Sequence, residues 1–212
     1  MAEPSTASQS TDDEEFLTPT EVIRRMTVAW QNELAAPCLM PTEMDLVDIL
    51  LDQIKGMEEN IARQQEKVQL KISLHRMELQ RISYMTSDYV RARLLKIEAN
   101  PRRVLAEHER RVAEGLSALL DDNELEFTKN FVNAEAQLLG KTVLEKSRFL
   151  REDLEIECVY VKVVEEDVGE IVLQDNLDPN SEHVIALNKD EIHLIPFVPI
   201  RHLVEQGKLQ LL

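Results

Sequence analysis

Glycine is scarce in this 212-residue sequence, with five in all, and none sets up the glycine-rich turn after a strand that dinucleotide and phosphate-binding loops need. The nearest approach is Gly140-Lys141-Thr142 in LLGKTVLEK, but the position where a phosphate loop requires its first glycine is Glu135. Cysteine is nearly absent too. Cys38 and Cys158 lie 120 positions apart, with no CxxC and no neighbouring His, which excludes a disulfide scaffold and suits a reducing intracellular compartment. The five histidines form no HExxH and no close pair with a Cys, so no metal site is expected. There is no GxSxG, and nothing among the many carboxylates separates an acid from a base. Neither catalysis nor a cofactor is expected. Apolar runs fall far short of the roughly 18–20 residues that span a bilayer, so no membrane contact is expected. MAEPSTASQSTDDEEF has neither a basic nor an apolar region of the secretory kind. Aromatics make up only 4%, leaving a core of Leu, Ile, Val and Met.

Charge is abundant and unevenly placed. The formal net charge of −16 argues against a chain whose main task is to hold a phosphate backbone. Residues 1–54 carry −9, residues 55–111 carry +5 and residues 112–212 carry −12. One basic segment therefore lies between two acidic ones. Its portion 63–111 is the stretch that would serve the alternative reading of a nucleic-acid-binding module.

Residues 1–16 form an acidic tail with no apolar period, expected to be disordered. A helix is expected over 18–35, with Thr18 as N-cap, Pro19 at the first helical position and Glu21 completing a capping box. Thr18-Pro19 also has the form of a proline-directed phosphorylation site, although the cap alone explains the threonine. Thr42 reads as a second cap, with Asp45 behind it, opening a helical pattern that runs to about Asn100 with a break near Gly56 or after Asn60. Pro101 starts a shorter helix to about 113, and Asp121 with Glu124 starts another that runs to about Lys146. From 156 the period changes to short β-branched runs over 156–164, 169–174, 183–188 and 192–198. PIRHLVEQG reads as a short helix, and KLQLL as a final strand. The fold class is mainly α with a small β-rich C-terminal domain: helical over 17–147, a linker at 148–155 and strands over 156–212. A β domain of that size is marginal alone and implies a docked partner.

The run HRMELQRISYMTSDYVRARLLKIE, part of the long helix, has apolar residues on two opposed sides. Val68, Ile72, Leu79, Ile82, Tyr89, Val90, Leu94 and Ile97 share one side; Leu70, Leu74, Met77, Tyr84, Met85, Ala92 and Leu95 share the other. Two stripes imply burial against two layers, inside a bundle or against another subunit. Arg81, Asp88 and Arg91 fall within the second stripe, with Asp88 and Arg91 spaced to pair, while His75 and Arg93 fall within the first. A cation on a buried stripe needs a partner.

That run, together with LTPTEVIRRMTVAWQNE, MEENI and PIRHLVEQGKLQLL, resembles the Sld-five-type subunit of the GINS complex over most of the chain from Leu17. The resemblance implies a helical A domain followed by a small β-rich B domain, and a non-catalytic role in the nucleus. It implies a heterotetramer with three other GINS subunits, which with the MCM ring and a Cdc-forty-five-type protein forms the replicative helicase. DNA contact would be at most indirect. The acidic-hydrophobic tail DDEEFL has the form of a docking peptide, leaving a replisome adaptor as a further partner. By position, the resemblance places Arg81, Tyr84, Tyr89, Arg91 and Arg93 on the family's central helix and Leu209, Leu211 and Leu212 on its terminal strand as subunit-interface candidates.

Overall fold

The computed structural model describes residues 18–63, 69–139, 157–166, 168–174 and 182–212. The tail, the linker and the far end of the helix expected to reach Lys146 lie outside them. The protein is mainly α-helical with a small C-terminal region of antiparallel strands.

Helix α1 (Pro19–Ala35) starts where its cap dictates: the Glu21 amide donates to Thr18 Oγ1 at 3.3 Å. Helix α2 (Met44–Arg63) corrects one expectation. Gly56 lies inside it, and the other position expected for a break, after Asn60, leads into residues 64–68, which lie outside the described ones. Thr42 does not cap it: the Thr42 hydroxyl is buried without a hydrogen-bond partner, the Thr42 amide donates to Ala118 O at 3.2 Å, and the Glu43 amide is taken by the Tyr89 hydroxyl at 3.1 Å. A tertiary contact has displaced the local one. Helix α3 (Gln69–Ala99) has 31 residues with neither Gly nor Pro, and α4 (Pro101–Ala113) follows directly, with Pro101 at its first position. Gly115, at φ 70°, closes α4 and turns the chain towards α5 (Asp122–Leu139). There Asp121 Oδ2 accepts from the Asn123 amide at 3.2 Å, while the Asp121 amide donates to Glu124 Oε2 at 3.1 Å. This is the reciprocal capping expected of that pair.

α1 and α2 pack on α3 around Val22, Met26, Leu50, Ile82, Met85 and Tyr89. A second apolar centre, with Leu39, Ile97, Val104, Leu119 and Leu120, joins α3 to α4 and α5. The strands β1 (Cys158–Val163), β4 (Ile192–Pro196) and β5 (Leu209–Leu211) form an antiparallel sheet in the order β4-β1-β5. β2 (Glu170–Gln174) and β3 (Glu182–Ala186) form a separate hairpin. Helix α6 (Phe197–Glu205) begins two residues earlier than expected and takes Phe197 and Val198 from the preceding strand. The cross-strand bonding continues past Pro196, with the Phe197 amide donating to Glu157 O at 3.0 Å, while the Phe197 side chain is buried. Gly207, at φ 76°, closes α6, with the Lys208 amide donating to Leu203 O at 3.0 Å.

The core of this C-terminal region is not made by its own residues alone. Ala36 and Met40, from the connection between α1 and α2, sit within the cluster formed by Val161, Ile195, Phe197, Ile200 and Leu211. The docked partner implied by the region's small size is therefore the helical part of the same chain.

Candidate functional site

α3 presents two different faces. On its inner side Leu79, Ile82 and Tyr89 are buried, joined by Met85 from the opposite stripe, and Ile97 is buried in the centre shared with α4 and α5. On the other side Leu70, Leu74, Met77, Tyr84 and Leu95 are 58–73% exposed. The first stripe is covered by this chain. The second is open, and Arg81 and Arg91 lie along it, tied to Glu78 at 2.7 Å and Asp88 at 3.4 Å on their own helix. Asp88 also accepts the Trp30 indole N–H at 3.0 Å, which pins the helix to α1.

Arg93, on the buried side, has no exposed surface, and each of its five N–H donors has an acceptor. Nε and Nη2 donate to the Glu124 carboxylate at 2.7 and 2.8 Å; Nη1 donates to Glu33 Oε2 at 3.1 Å and Met40 O at 2.8 Å; Nη2 also donates to Leu119 O at 2.7 Å. Its guanidinium lies 5.5 Å from the Tyr89 ring centre. Burial works against the Arg93 charge, but the bonds to Glu124 and the neighbouring Tyr89 and Glu33 outweigh it, and its pKa is raised above the ordinary arginine value. Burial likewise pushes the Tyr89 phenol up to about 12. Lys96 completes the cluster, reaching Glu33 Oε1 at 2.6 Å, Cys38 O at 3.0 Å and the Glu33 carbonyl. One balanced cluster of two cations and two carboxylates thus ties together α1, α3, α5 and the connection at Cys38–Met40.

The strand region is latched to the helices at two places. Near α1, Asn32 Oδ1 accepts from the Leu211 amide at 2.9 Å, and Gln210 Nε2 donates to Gln31 Oε1 at 2.7 Å. Near α4, Arg111 grips Glu205 bidentately at 2.9 and 2.8 Å, and Arg201 spans Glu107 at 3.2 Å and Glu205 at 3.0 Å. Burial alone would raise the Glu205 carboxyl, but its bonds to Arg111 hold it below the usual carboxylate range; Arg110 does the same for Glu107.

The eight interface candidates divide evenly. Arg81, Tyr84, Arg91 and Leu212 keep surface that another chain could touch, whereas Tyr89, Arg93, Leu209 and Leu211 are covered by this chain itself. Leu212 instead adjoins a second open apolar patch on the outer sheet face, formed by Tyr160, Ile192 and Leu194. The charge-bearing partners Glu33, Glu205 and Arg111 were not singled out from the sequence, and Glu124 only as the capping partner of Asp121. Glu33 had a legible signal, since it shares a helix face with Val22 and Met26 and is fully buried. Most cations of segment 63–111 are committed: Arg93, Lys96 and Arg111 inside, and Arg63, Arg81, Arg91, Arg102 and Arg110 to carboxylates. Among the described residues no cluster suits a metal ion, and no helix is long and apolar enough to cross a membrane.

Residues 156–212 match the family described as DNA replication complex GINS protein SLD5 C-terminus. Over nearly its whole length the chain is similar to curated proteins called DNA replication complex GINS protein SLD5. The Homo sapiens protein is 35% identical, with 97% of this chain and 95% of the relative covered. The Xenopus laevis protein is 33% identical, over 96% and 95%. The Arabidopsis thaliana protein is 29% identical, over the full length of both.

Proposed function

Because this chain belongs to the SLD5 family of GINS replication proteins, we propose that it is a non-catalytic structural subunit of a GINS heterotetramer. It packs with three sister subunits and, through them, helps to assemble and hold an MCM-based replicative helicase with a Cdc-forty-five-type protein in the nucleus. The observation that carries this reading is the open stripe of α3, in which five large apolar side chains stand on one rigid helix whose other face is already satisfied. Monomers rarely leave so many large apolar side chains uncovered along one side of a helix, and a helical partner face would complete a second layer. Division into domains at 17–147 and 156–212 belongs to the same proposal, with the second part docked by the latch at Arg111 and Glu205. Recruitment of a replisome adaptor by the tail is its outermost element.

The test is co-expression of the four subunits with this chain carrying Leu74→Glu and Tyr84→Glu. Light scattering after size exclusion is expected to show the four-chain particle lost, or at least about tenfold less of it, while the chain retains its helical circular dichroism. A full yield of tetramer with both charges in place would remove the stripe as the assembly surface.

A further inference from the structure

The two edges of the three-stranded sheet are finished differently. On the β5 side the Leu212 amide donates to Tyr160 O and the Val164 amide to Lys208 O, both at 3.0 Å, which turns the main chain of Leu211 away from β1. That edge is closed by α1, where Asn32 Oδ1 accepts the Leu211 amide at 2.9 Å. On the β4 side the Val163 amide donates to Glu191 O and the Phe197 amide to Glu157 O, both at 3.0 Å. With Tyr160 opposite Leu194, this register commits the main chain of Glu191, His193, Ile195 and Phe197 to β1. The N–H and C=O groups of Ile192 and Leu194 therefore point outward, and among the described residues they have no hydrogen-bond partner. An edge of this kind is ordinarily blunted by a lysine, a bulge or a proline. Here Pro196 limits it at one end only. The side chains along it, Ile192 and Leu194, are apolar, 59% and 55% exposed, and lie beside the exposed Tyr160.

We propose that the β4 edge receives an extended segment of another protein as a fourth strand, with apolar side chains beside Ile192 and Leu194 and a basic residue opposite Glu191. The outward groups of Ile192 and Leu194 supply two donors and two acceptors, so the added strand gains four main-chain hydrogen bonds. In such pairing the main chain provides the affinity and the alternate side chains the specificity. A docked helix would not serve, because its own main chain is already bonded internally and the edge groups would stay unmatched. Apolar residues beside Ile192 and Leu194 continue the patch around Tyr160 across the new pair of strands. Glu191 sets the charge at the open end. Its carboxylate accepts from Asn188 Nδ2 at 3.1 Å and lies 3.3 Å from His193 Nε2, but no Lys or Arg among the described residues bonds it. The neighbouring cations Lys162 and Lys189 are held by Asp190 and Glu166. A second copy of this chain is a poor occupant, since two molecules of net charge −16 repel each other. The edge and the α3 stripe are separate surfaces, and either can fail without the other.

The first readout is residue-resolved amide hydrogen exchange in the full-length chain. The amides of Ile192 and Leu194 are expected to exchange at least about tenfold faster than that of Ile195, which faces β1. The probe is a fluorescein-labelled peptide, Thr-Val-Thr-Val-Lys, amidated at its end and titrated by anisotropy. Saturating peptide is expected to slow exchange at Ile192 and Leu194 by about fivefold or more. N-methylation of both valines keeps the side chains but removes the donors, and is expected to weaken binding at least about tenfold. Glu in place of the peptide's Lys should weaken it about threefold. In the protein, Leu194→Lys places a charge on the edge at an exposed position and should cost about tenfold in affinity. Should Leu194→Lys disturb folding, Ile192→Lys reads the same contact. Equal binding of the N-methylated peptide would overturn the proposal, as would unchanged affinity in the lysine variants. So would slow exchange at Ile192 and Leu194 before peptide is added, since this chain would then close the edge itself. A mass by light scattering that doubles with concentration and is halved by Leu194→Lys would give the edge to a second copy, and would overturn it too.

Discussion

The two faces of α3 invert the usual arrangement of a surface helix. The side turned inward carries a full positive charge, Arg93, and a tyrosine hydroxyl; the side turned outward carries Leu70, Leu74, Met77 and Tyr84. The inner polar groups are tolerated because each is matched, with five donors meeting five acceptors and two carboxylates facing two cations. The outer apolar groups have no such closure among the described residues. A face that is finished inside one molecule can be polar, because its partners are fixed in place by the same fold. A face kept for another molecule stays apolar, where complementarity of shape suffices and no unpaired charge is left if the partner departs.

The largest test of this contrast is Arg93→Ala. It would leave Glu33 and Glu124 buried without their shared cation and the carbonyls of Met40 and Leu119 without a donor. A loss of about 3–5 kcal/mol in folding stability is expected, read as a melting temperature lower by roughly 10 °C or more. Arg93→Lys should recover only part of it, since one ammonium cannot serve five divergent acceptors. A drop below about 1 kcal/mol would mean that the inner face is no more committed than the outer one.

Arg93 also marks the limit of what the amino-acid order reveals. Its place among aliphatic residues announces a buried cation that needs partners, but the partners lie 60 and 31 positions away, and no local spacing points to them. Local signals were legible wherever the chain closes its own contact, as in the Thr18 cap, the Asp121–Glu124 pair and the glycine that ends α6. They failed where tertiary structure intervened. Thr42 has the right chemistry for a cap, yet the amide beside it, that of Glu43, is taken by the Tyr89 hydroxyl, 46 residues on from Glu43. The two stripes of α3 were visible from angle alone, but which one this chain covers depended on where α1 and α2 pack. The β strands were found by period, whereas the sharing of their core with Ala36 and Met40 has no signature in either segment.

A middle case is the latch, which is polar like the inner face but partly wet. Glu205 and Glu107 both have pKa values below the carboxylate reference of 4.5, so their bonds to Arg111, Arg201 and Arg110 contribute fully above that pH. The contribution is lost as pH falls through 4.5 and below. Because Glu205 is partly exposed, solvent screening limits the effect to on the order of 1 kcal/mol. Hydrogen exchange in α6 and β5 should rise several-fold between pH 7 and pH 4 relative to the core of α1 and α3. Arg111→Ala should raise that exchange at pH 7 and flatten its pH dependence. If exchange in α6 kept a constant ratio to that core across this range, the apolar contacts of Met40 and Leu211 alone would be holding the strand region in place.

The smallest expected effect is the most discriminating. Tyr84 is 61% exposed and makes no hydrogen bond among the described residues, so in the lone chain Tyr84→Ser should change stability by no more than about 0.5 kcal/mol. Leu74→Ser, at 58% exposure, should behave alike. In the assembled complex the same substitutions would remove buried apolar area and cost about 1.5–3 kcal/mol each in assembly. Denaturation of the lone chain and subunit-exchange rates of the complex measure the two quantities separately. A large loss in the lone chain would show that this face already carries part of the chain's own core, and the contrast between the faces would collapse. Silence in both measurements would leave the stripe as an exposed surface without a partner. Neutrality in the chain joined to loss in the complex is the pattern that only a reserved interface produces.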